Sequence, residues 1–215
     1  MNQTKVVRVS AFNNDSVVSD TVVKLINDLK IECIIETGTF RGKTTAFLSE
    51  TFPNLDIYTI EVNFKNFLEA EQNLKPYKNI TLICGSSEKK LEELLPTLKG
   101  KRLLFYLDAH WEEYWPLLDE FEAIRKNAKD MCCIVIDDFK VPYRQFQHDA
   151  YKGQPLDVDY IQDKMNGVYT TPFYFFNDRS TRAQRPVGKI YIVPGTWREE
   201  VSVPLTEENG LYYVK

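Results

Sequence analysis

The sequence predicts an α/β protein, a three-layer sandwich around a mostly parallel seven-stranded sheet with an antiparallel strand from a C-terminal hairpin. Three observations predict it. Five short apolar runs alternate with helical stripes as far as residue 140. These runs are apolar throughout rather than alternating, as strands buried on both faces are. Two further apolar runs, without a helical stripe between them, close the chain.

The elements follow in order. Residues 17–29 place Val17, Val18, Thr21, Val22, Leu25, Ile26 and Leu29 on one helical stripe, with Asn14, Asp15 and Ser16 ahead of it as capping candidates. Residues 31–36 form a β-branched run that stops at Thr37-Gly38, a strand meeting a glycine turn. Helical spacing returns over 44–52 and ends at Pro53-Asn54; 57–62 is the next strand, and 64–74 is helical until Pro76. Residues 80–84 form a third strand running into Gly85-Ser86-Ser87, and 88–98 a charged amphipathic helix. A fourth strand, 103–107, exits through Asp108-Ala109-His110; 115–128 is helical, and a fifth strand, 132–136, ends in Asp137-Asp138. Residues 141–167 are polar and aromatic without a clear period, and 171–176 and 189–193 read as the closing strands. Crossovers between parallel strands are right-handed, which largely fixes the topology.

The chain has 215 residues, against roughly 100–200 per domain, so it reads as a single domain over 1–215: a core of 1–140, then a lid or acceptor loop and closing hairpin over 141–215. With 43% hydrophobic and 27% charged residues it can fill a core and cover it, which excludes wholesale disorder. The 27 basic and 31 acidic residues leave a net charge of −4 with no basic stripe, so nucleic acid is not an expected partner. No apolar run approaches the roughly 20 residues that span a bilayer, and residues 1–10 carry no leader pattern; a cytoplasmic protein without a membrane partner is expected. Cys33, Cys84, Cys132 and Cys133 all lie in apolar runs that read as a buried strand or its edge, where reduced thiols serve as small hydrophobes.

Ligands of an open parallel sheet bind beyond the carboxyl ends of its strands, so the site is read there. Gly38 and Gly42 permit a sharp strand-to-helix turn and close approach of a ligand to the main chain. Phe40 breaks the G-x-G-x-x-G dinucleotide pattern, and Thr37 occupies the upstream glycine position of a P-loop despite Gly42-Lys43-Thr44. Glu61, ending the second strand, sits where an acid accepts hydrogen bonds from both ribose hydroxyls. Together these favour an adenosine-type ligand. Ser86 or Ser87 reaches an adenine edge or caps the following helix. Asp108 and His110, two apart at a strand end, share a face and converge on one site, His110 as metal ligand or general base. Asp137 and Asp138 are neighbours, so at most one faces that site directly.

These words resemble class I S-adenosylmethionine-dependent methyltransferases, and more sharply the metal-assisted O-methyltransferases of the macrocin type, with their Rossmann-like sheet. The resemblance covers residues 31–140. It is carried by Glu36-Thr37-Gly38-Thr39-Phe40-Arg41-Gly42 (family pattern E-T-G-x-x-R-G), Ile60-Glu61, Gly85-Ser86-Ser87, Leu107-Asp108-Ala109-His110 and Val135-Ile136-Asp137-Asp138-Phe139. It implies methyl transfer from S-adenosylmethionine to an oxygen of a small-molecule acceptor. Glu36, Gly38 and Gly42 would hold the methionine part and Glu61 the ribose; Thr39, Phe40, Arg41, Val62, Ser86 and Ser87 would complete the cofactor site, and Asp108, also cofactor-binding, would lie at the donor–acceptor boundary with Asp137 and Asp138. As the catalytic pair, Asp108 and His110 would orient or deprotonate the acceptor. Asp108, Asp137 and Asp138 would bind Mg²⁺ or another divalent cation, as hard cations take oxygen ligands. His110 departs from the family, which often has an acid there.

Trp111, Tyr114 and Trp115 form either an aromatic wall over the acceptor or lid packing. Residues 143–169, with His148 and Tyr151, read as an irregular lid or acceptor loop. Arg179, Arg182 and Arg185 either bind an anionic acceptor or lie in solvent. Two other functions keep the fold: a metal-dependent hydroxylase-like enzyme, similar to cephalosporin hydroxylases, and a non-catalytic adenosine-ligand-binding protein. A homo-oligomer stays open.

Overall fold

The computed structural model describes residues 11–110, 114–182 and 185–215. One sheet of nine strands runs through them, in the order β10-β11-β8-β9-β5-β4-β1-β2-β3. β1 (Cys33–Thr37), β2 (Asp56–Glu61), β3 (Ile80–Cys84), β4 (Leu103–Leu107) and β5 (Cys132–Ile136) are parallel to one another. β9 (Ile190–Pro194) runs against both β5 and β8 (Pro172–Asn177). The sheet therefore contains the seven expected strands. β10 (Leu205–Glu208) and β11 (Leu211–Val214) extend it beyond β8; the polar Leu205-Thr206-Glu207-Glu208 run at this edge carries too little apolar signal to announce a strand. A separate two-stranded ribbon pairs β6 (Ala150–Tyr151) with β7 (Gln154–Pro155).

Strand side chains alternate between two cores, as the period of two requires. Ile34, Leu104, Tyr106, Cys133 and Val135 face α1 (Ser16–Asp28) and α2 (Lys43–Thr51). Cys33, Ile35, Phe105, Leu107, Ile134 and Ile136 face α4 (Ser87–Leu94), α5 (Leu117–Ala128) and α6 (Val158–Val168). α3 (Phe64–Leu74) buries Ala70 and Leu74 against Ala46 near the β3 edge. Asp15 caps α1 by accepting from Val17 and Val18 amides. The predicted helix over 88–98 is divided: α4 stops at Leu94 and a 3₁₀ turn spans Leu95–Leu98, because Pro96 has no amide to continue the ladder.

Two expectations are corrected. Residues 143–169 are not irregular throughout, since α6 lies within them, capped by Asp157 and burying Ile161, Met165 and Val168 on the α5 side of the sheet. Cys84 is exposed on the edge strand β3, whereas Cys33, Cys132 and Cys133 are buried, with burial pushing their thiols well above the usual range. Among the described residues no helix is long and apolar enough to cross a membrane.

Candidate active site

Every parallel strand ends at the same rim, and a cavity of about 460 Å³ opens there. It is lined from β1 by Gly38 and Phe40, from β2 by Glu61 and Val62, from β3 by Gly85 and Ser87, and from β4 and β5 by Asp108, His110 and Asp138. A second cavity of about 150 Å³ continues behind the β1 loop past Glu36, Thr39, Arg41, Tyr106 and Asp137, sharing Gly38, Phe40 and Asp108 with the first.

The β1 loop is held tightly. Gly38 has φ +84°, and a Cβ there would lie 2.4 Å from the Asp108 carbonyl oxygen, so the β1 and β4 ends approach at a distance only glycine permits. Gly42, at φ +74°, leaves no room beside Leu74. Glu61 accepts from the Phe40 amide at 2.7 Å and the Asn63 amide at 2.8 Å, which ties the β1 loop to the β2 loop around one buried carboxylate. Glu36 is buried and accepts from the hydroxyls of Thr45 and Thr59; burial pushes its carboxyl up to about 7 despite those donors. Arg41 points outward, 3.0 Å from Glu69 and over the exposed Phe40 ring, so it offers the loop its backbone only.

At the other end of the rim the carboxylates sort themselves. Ligand atoms of Asp108, His110 and Asp138 all lie within 4.8 Å of one another. Burial, then repulsion from Asp137 and Asp138, pushes the Asp108 carboxyl well up, and burial with Asp137 repulsion raises Asp138 to about 6. Asp137 is not in that group. It accepts from the Tyr106 hydroxyl at 2.5 Å and the Asp138 amide at 2.6 Å, and its other contact is the Lys189 ammonium. The neighbours Asp137 and Asp138 thus part: Asp138 joins Asp108 and His110, while Asp137 pairs with a lysine.

His110 is half-exposed, 3.5 Å from Asp149. Ser87 is buried with an unpartnered hydroxyl, whereas Ser86 donates to Glu88 at 2.5 Å, so of the two serines Ser87 faces the cavity. Trp115 stacks on Tyr151 and packs edge-on against Tyr160, beside a small cavity of about 20 Å³ that also touches Asp108, His110, Asp138 and Asp149. Tyr114 donates to Asp119 at 2.5 Å, and Trp111 lies outside the described residues. His148 contacts the Phe146 carbonyl and lines neither of the two rim cavities. The Arg179 guanidinium donates to the Lys215 carbonyl, and Arg182 and Arg185 line none of these cavities.

Three participants carried no motif. Asn13 lines both rim cavities from a short turn, Ala11–Asn14, in which Phe12, Asn13 and Asn14 are all left-handed. Phe12 anchors that turn edge-on against Phe47 and Tyr106. Lys189 is 1% exposed, and Glu120 on α5 is 0% exposed, with neither oxygen in a hydrogen bond of normal geometry. Burial pushes Glu120 up to about 7, with the neighbouring Ser87 and Thr37 hydroxyls easing it slightly.

No protein-family model matches the chain, and no curated protein matches it. Solved structures do. A Staphylococcus aureus protein provisionally named a caffeoyl-CoA O-methyltransferase is 20% identical, with a TM-score of 0.64 over 91% of this chain and 93% of that one. A Bacillus cereus O-methyltransferase solved with S-adenosylhomocysteine is 15% identical, TM-score 0.61, covering 90% and 91%. TomG of Streptomyces achromogenes, an O-methyltransferase of tomaymycin synthesis solved with S-adenosylmethionine, is 17% identical, TM-score 0.60, covering 82% and 79%. The chain has the Rossmann-like fold of these O-methyltransferases.

Proposed function

We propose that this chain is an S-adenosylmethionine-dependent O-methyltransferase acting on a small-molecule acceptor. The observation that carries the reading is the continuity of the rim: one cavity of about 460 Å³ joins Glu61 to Asp108, His110 and Asp138, and the cavity lined by Glu36 shares Gly38, Phe40 and Asp108 with it. Such a volume accommodates a ligand of this size. Gly38, Thr39, Phe40 and Gly42 present backbone to the methionine part, Arg41 adds main chain alone, and Glu36 lies beneath them. Glu61 and Val62 meet the ribose, with the free lone pairs of Glu61 turned to its hydroxyls. Ser87 takes the adenine edge, while the Ser86 hydroxyl is held by the Glu88 carboxylate.

When bound, the donor supplies an electrophilic methyl group on a sulfonium, and a divalent cation supplies Lewis-acid polarisation of the acceptor hydroxyl. The donor set of Asp108, Asp138 and His110 fits such a cation: two carboxylates and an imidazole offer atoms close enough to share one ion. The remaining work belongs to the chain. Asp108, common to both cavities, marks the boundary between donor and acceptor. Asp108 and His110 orient the acceptor hydroxyl, and Asp149, 3.5 Å from His110 and lining the same small cavity, takes up its proton. Trp115 and Leu156 shield the acceptor side.

Calorimetric titration with S-adenosylhomocysteine tests the reading. The wild type binds, and Glu61→Ala binds at least ~tenfold more weakly, since a buried acceptor and the loop it ties are lost together. No binding by the wild type, or equal binding by the variant, overturns it.

A further inference from the structure

Four aspartates, Asp108, Asp137, Asp138 and Asp149, line the small cavity beside His110 and Trp115. By charge alone they would form an all-oxygen site for a hard cation, the role the sequence gives to Asp108, Asp137 and Asp138. The sheet removes one of them. Because β9 is antiparallel to β5, its first residues arrive at the rim where the parallel strands end, and the pairing of Ile136 with Ile190 puts Lys189 opposite Asp137. Lys189 has no freedom to leave. Its amide donates to the buried Asn177 side chain at 2.7 Å. Gly188 before it lies so close to the Phe139 carbonyl that a Cβ would sit 1.9 Å away. The ammonium is 1% exposed with its residue and pairs with Asp137, whose other oxygen holds the Tyr106 hydroxyl.

We infer that Lys189 withdraws Asp137 from the cation site, so that His110 takes the third place and the site Asp108–His110–Asp138 prefers a divalent transition metal over Mg²⁺. Two carboxylates and an imidazole, which ligates as the neutral ring, balance a doubly charged ion. Mg²⁺ demands oxygen ligands in near-ideal octahedral geometry, whereas Co²⁺, Zn²⁺ and their neighbours accept imidazole readily. A second, independent observation points to an occupant: Glu120 is 0% exposed and lines the same small cavity, and neither of its oxygens reaches a hydrogen bond of normal geometry with the neighbouring Ser87 and Thr37 hydroxyls. A buried carboxylate left this way fits a partner supplied by the waters around a bound ion. This inference rests on the methyl-transfer reading only for the use of the ion.

The experiment uses the whole chain, stripped with chelator and without donor. Co²⁺ is titrated by its visible spectrum, which reports nitrogen ligation, and Co²⁺ and Mg²⁺ are both titrated by calorimetry. The wild type takes up Co²⁺ more tightly than Mg²⁺, and Asp108→Asn loses Co²⁺ binding. His110→Asp, which restores an all-oxygen set, lowers the Co²⁺-to-Mg²⁺ affinity ratio at least ~tenfold, the size of effect a lost ligand or its support produces. The double variant Asp137→Asn with Lys189→Met, which removes both buried charges together, keeps Co²⁺ affinity within ~threefold, because neither group is a ligand. An unchanged ratio in His110→Asp, a folded double variant that loses Co²⁺ as Asp108→Asn does, or a wild type that takes up no Co²⁺ overturns the proposal. If the double variant does not fold, the ratio in His110→Asp decides, since His110 is half-exposed and outside the core. S-adenosylhomocysteine titrated into the metal-free wild type separates the two readings: failure there counts against methyl transfer and leaves the metal ratio standing.

Discussion

Gly38 concentrates the demands of the site in one position. Its φ of +84° is unfavourable for any L side chain, and a Cβ would lie 2.4 Å from backbone that belongs to a different strand. Gly38→Ala therefore has to part the β1 and β4 ends, the two strands that flank the proposed donor–acceptor boundary. A loss of ~2–4 kcal/mol in chemical denaturation, with weakened S-adenosylhomocysteine binding, is expected; a variant as stable as wild type would show that the loop is looser than its geometry. This glycine was legible in the sequence because a strand followed by Thr-Gly requires a turn at a known place. Asp138 was legible only as one of a pair, since alternation says that Asp137 and Asp138 part but not which faces the ligand. Lys189 was not legible at all. Nothing in a lone lysine ahead of an apolar run distinguishes a buried counter-ion from a solvated side chain; the antiparallel register with β5 makes the difference.

At the scale of elements, the turn Ala11–Asn14 is the one whose role exceeds its size. Three consecutive residues in the left-handed region are costly and persist only where packing over-determines them. Phe12 supplies that packing: it is 1% exposed, edge-on to Phe47 and Tyr106, and its amide donates to the Thr44 hydroxyl at 3.1 Å. Asp15 then binds the turn to the loop after β8 through the hydroxyl of Ser180 and the amide of Thr181. Phe12→Ala is expected to cost ~3–5 kcal/mol, the range for a buried ring, and to weaken donor binding because Asn13 loses its support at both cavities. A melt displaced downward with donor affinity intact would confine Phe12 to packing. The strands of the parallel sheet were legible because unbroken apolar runs have few other uses. α6 was missed for the converse reason: Val158, Ile161, Met165 and Val168 do follow a helical period, but Asp159, Tyr160, Asp163 and Lys164 dilute it and a short ribbon precedes it. The signal that could have found it is Asp157, whose side chain accepts from the Tyr160 amide as a helix cap does.

The whole molecule carries its acids unevenly, and this sets how its stability answers to pH. Glu36 and Glu120 sit on opposite faces of the sheet, the first beneath α2 and the second on α5, and burial pushes both from an ordinary 4.5 up to about 7. Between those values the folded chain holds protons on both groups that the unfolded chain has released. Folding therefore takes up protons, and stability falls as pH rises through this window. Below about 4.5 the two states are protonated alike and nothing is lost; above about 7 the folded chain must keep two buried charges. A displacement of this size corresponds to ~3 kcal/mol for each group. The raised Asp108 and Asp138 carboxyls act in the same direction. Glu120 is the group that isolates the effect, because its oxygens make no hydrogen bond of normal geometry and an amide there can donate to the Thr37 or Ser87 hydroxyl. Urea denaturation at pH 5 and pH 8 is the measurement. Wild type should lose stability between the two, and Glu120→Gln should lose ~2–3 kcal/mol less, ending more stable than wild type at pH 8 while close to it at pH 5. Equal slopes for the two proteins would mean that Glu120 stays ionised in the folded state, held by a bound cation or ordered water rather than by its proton.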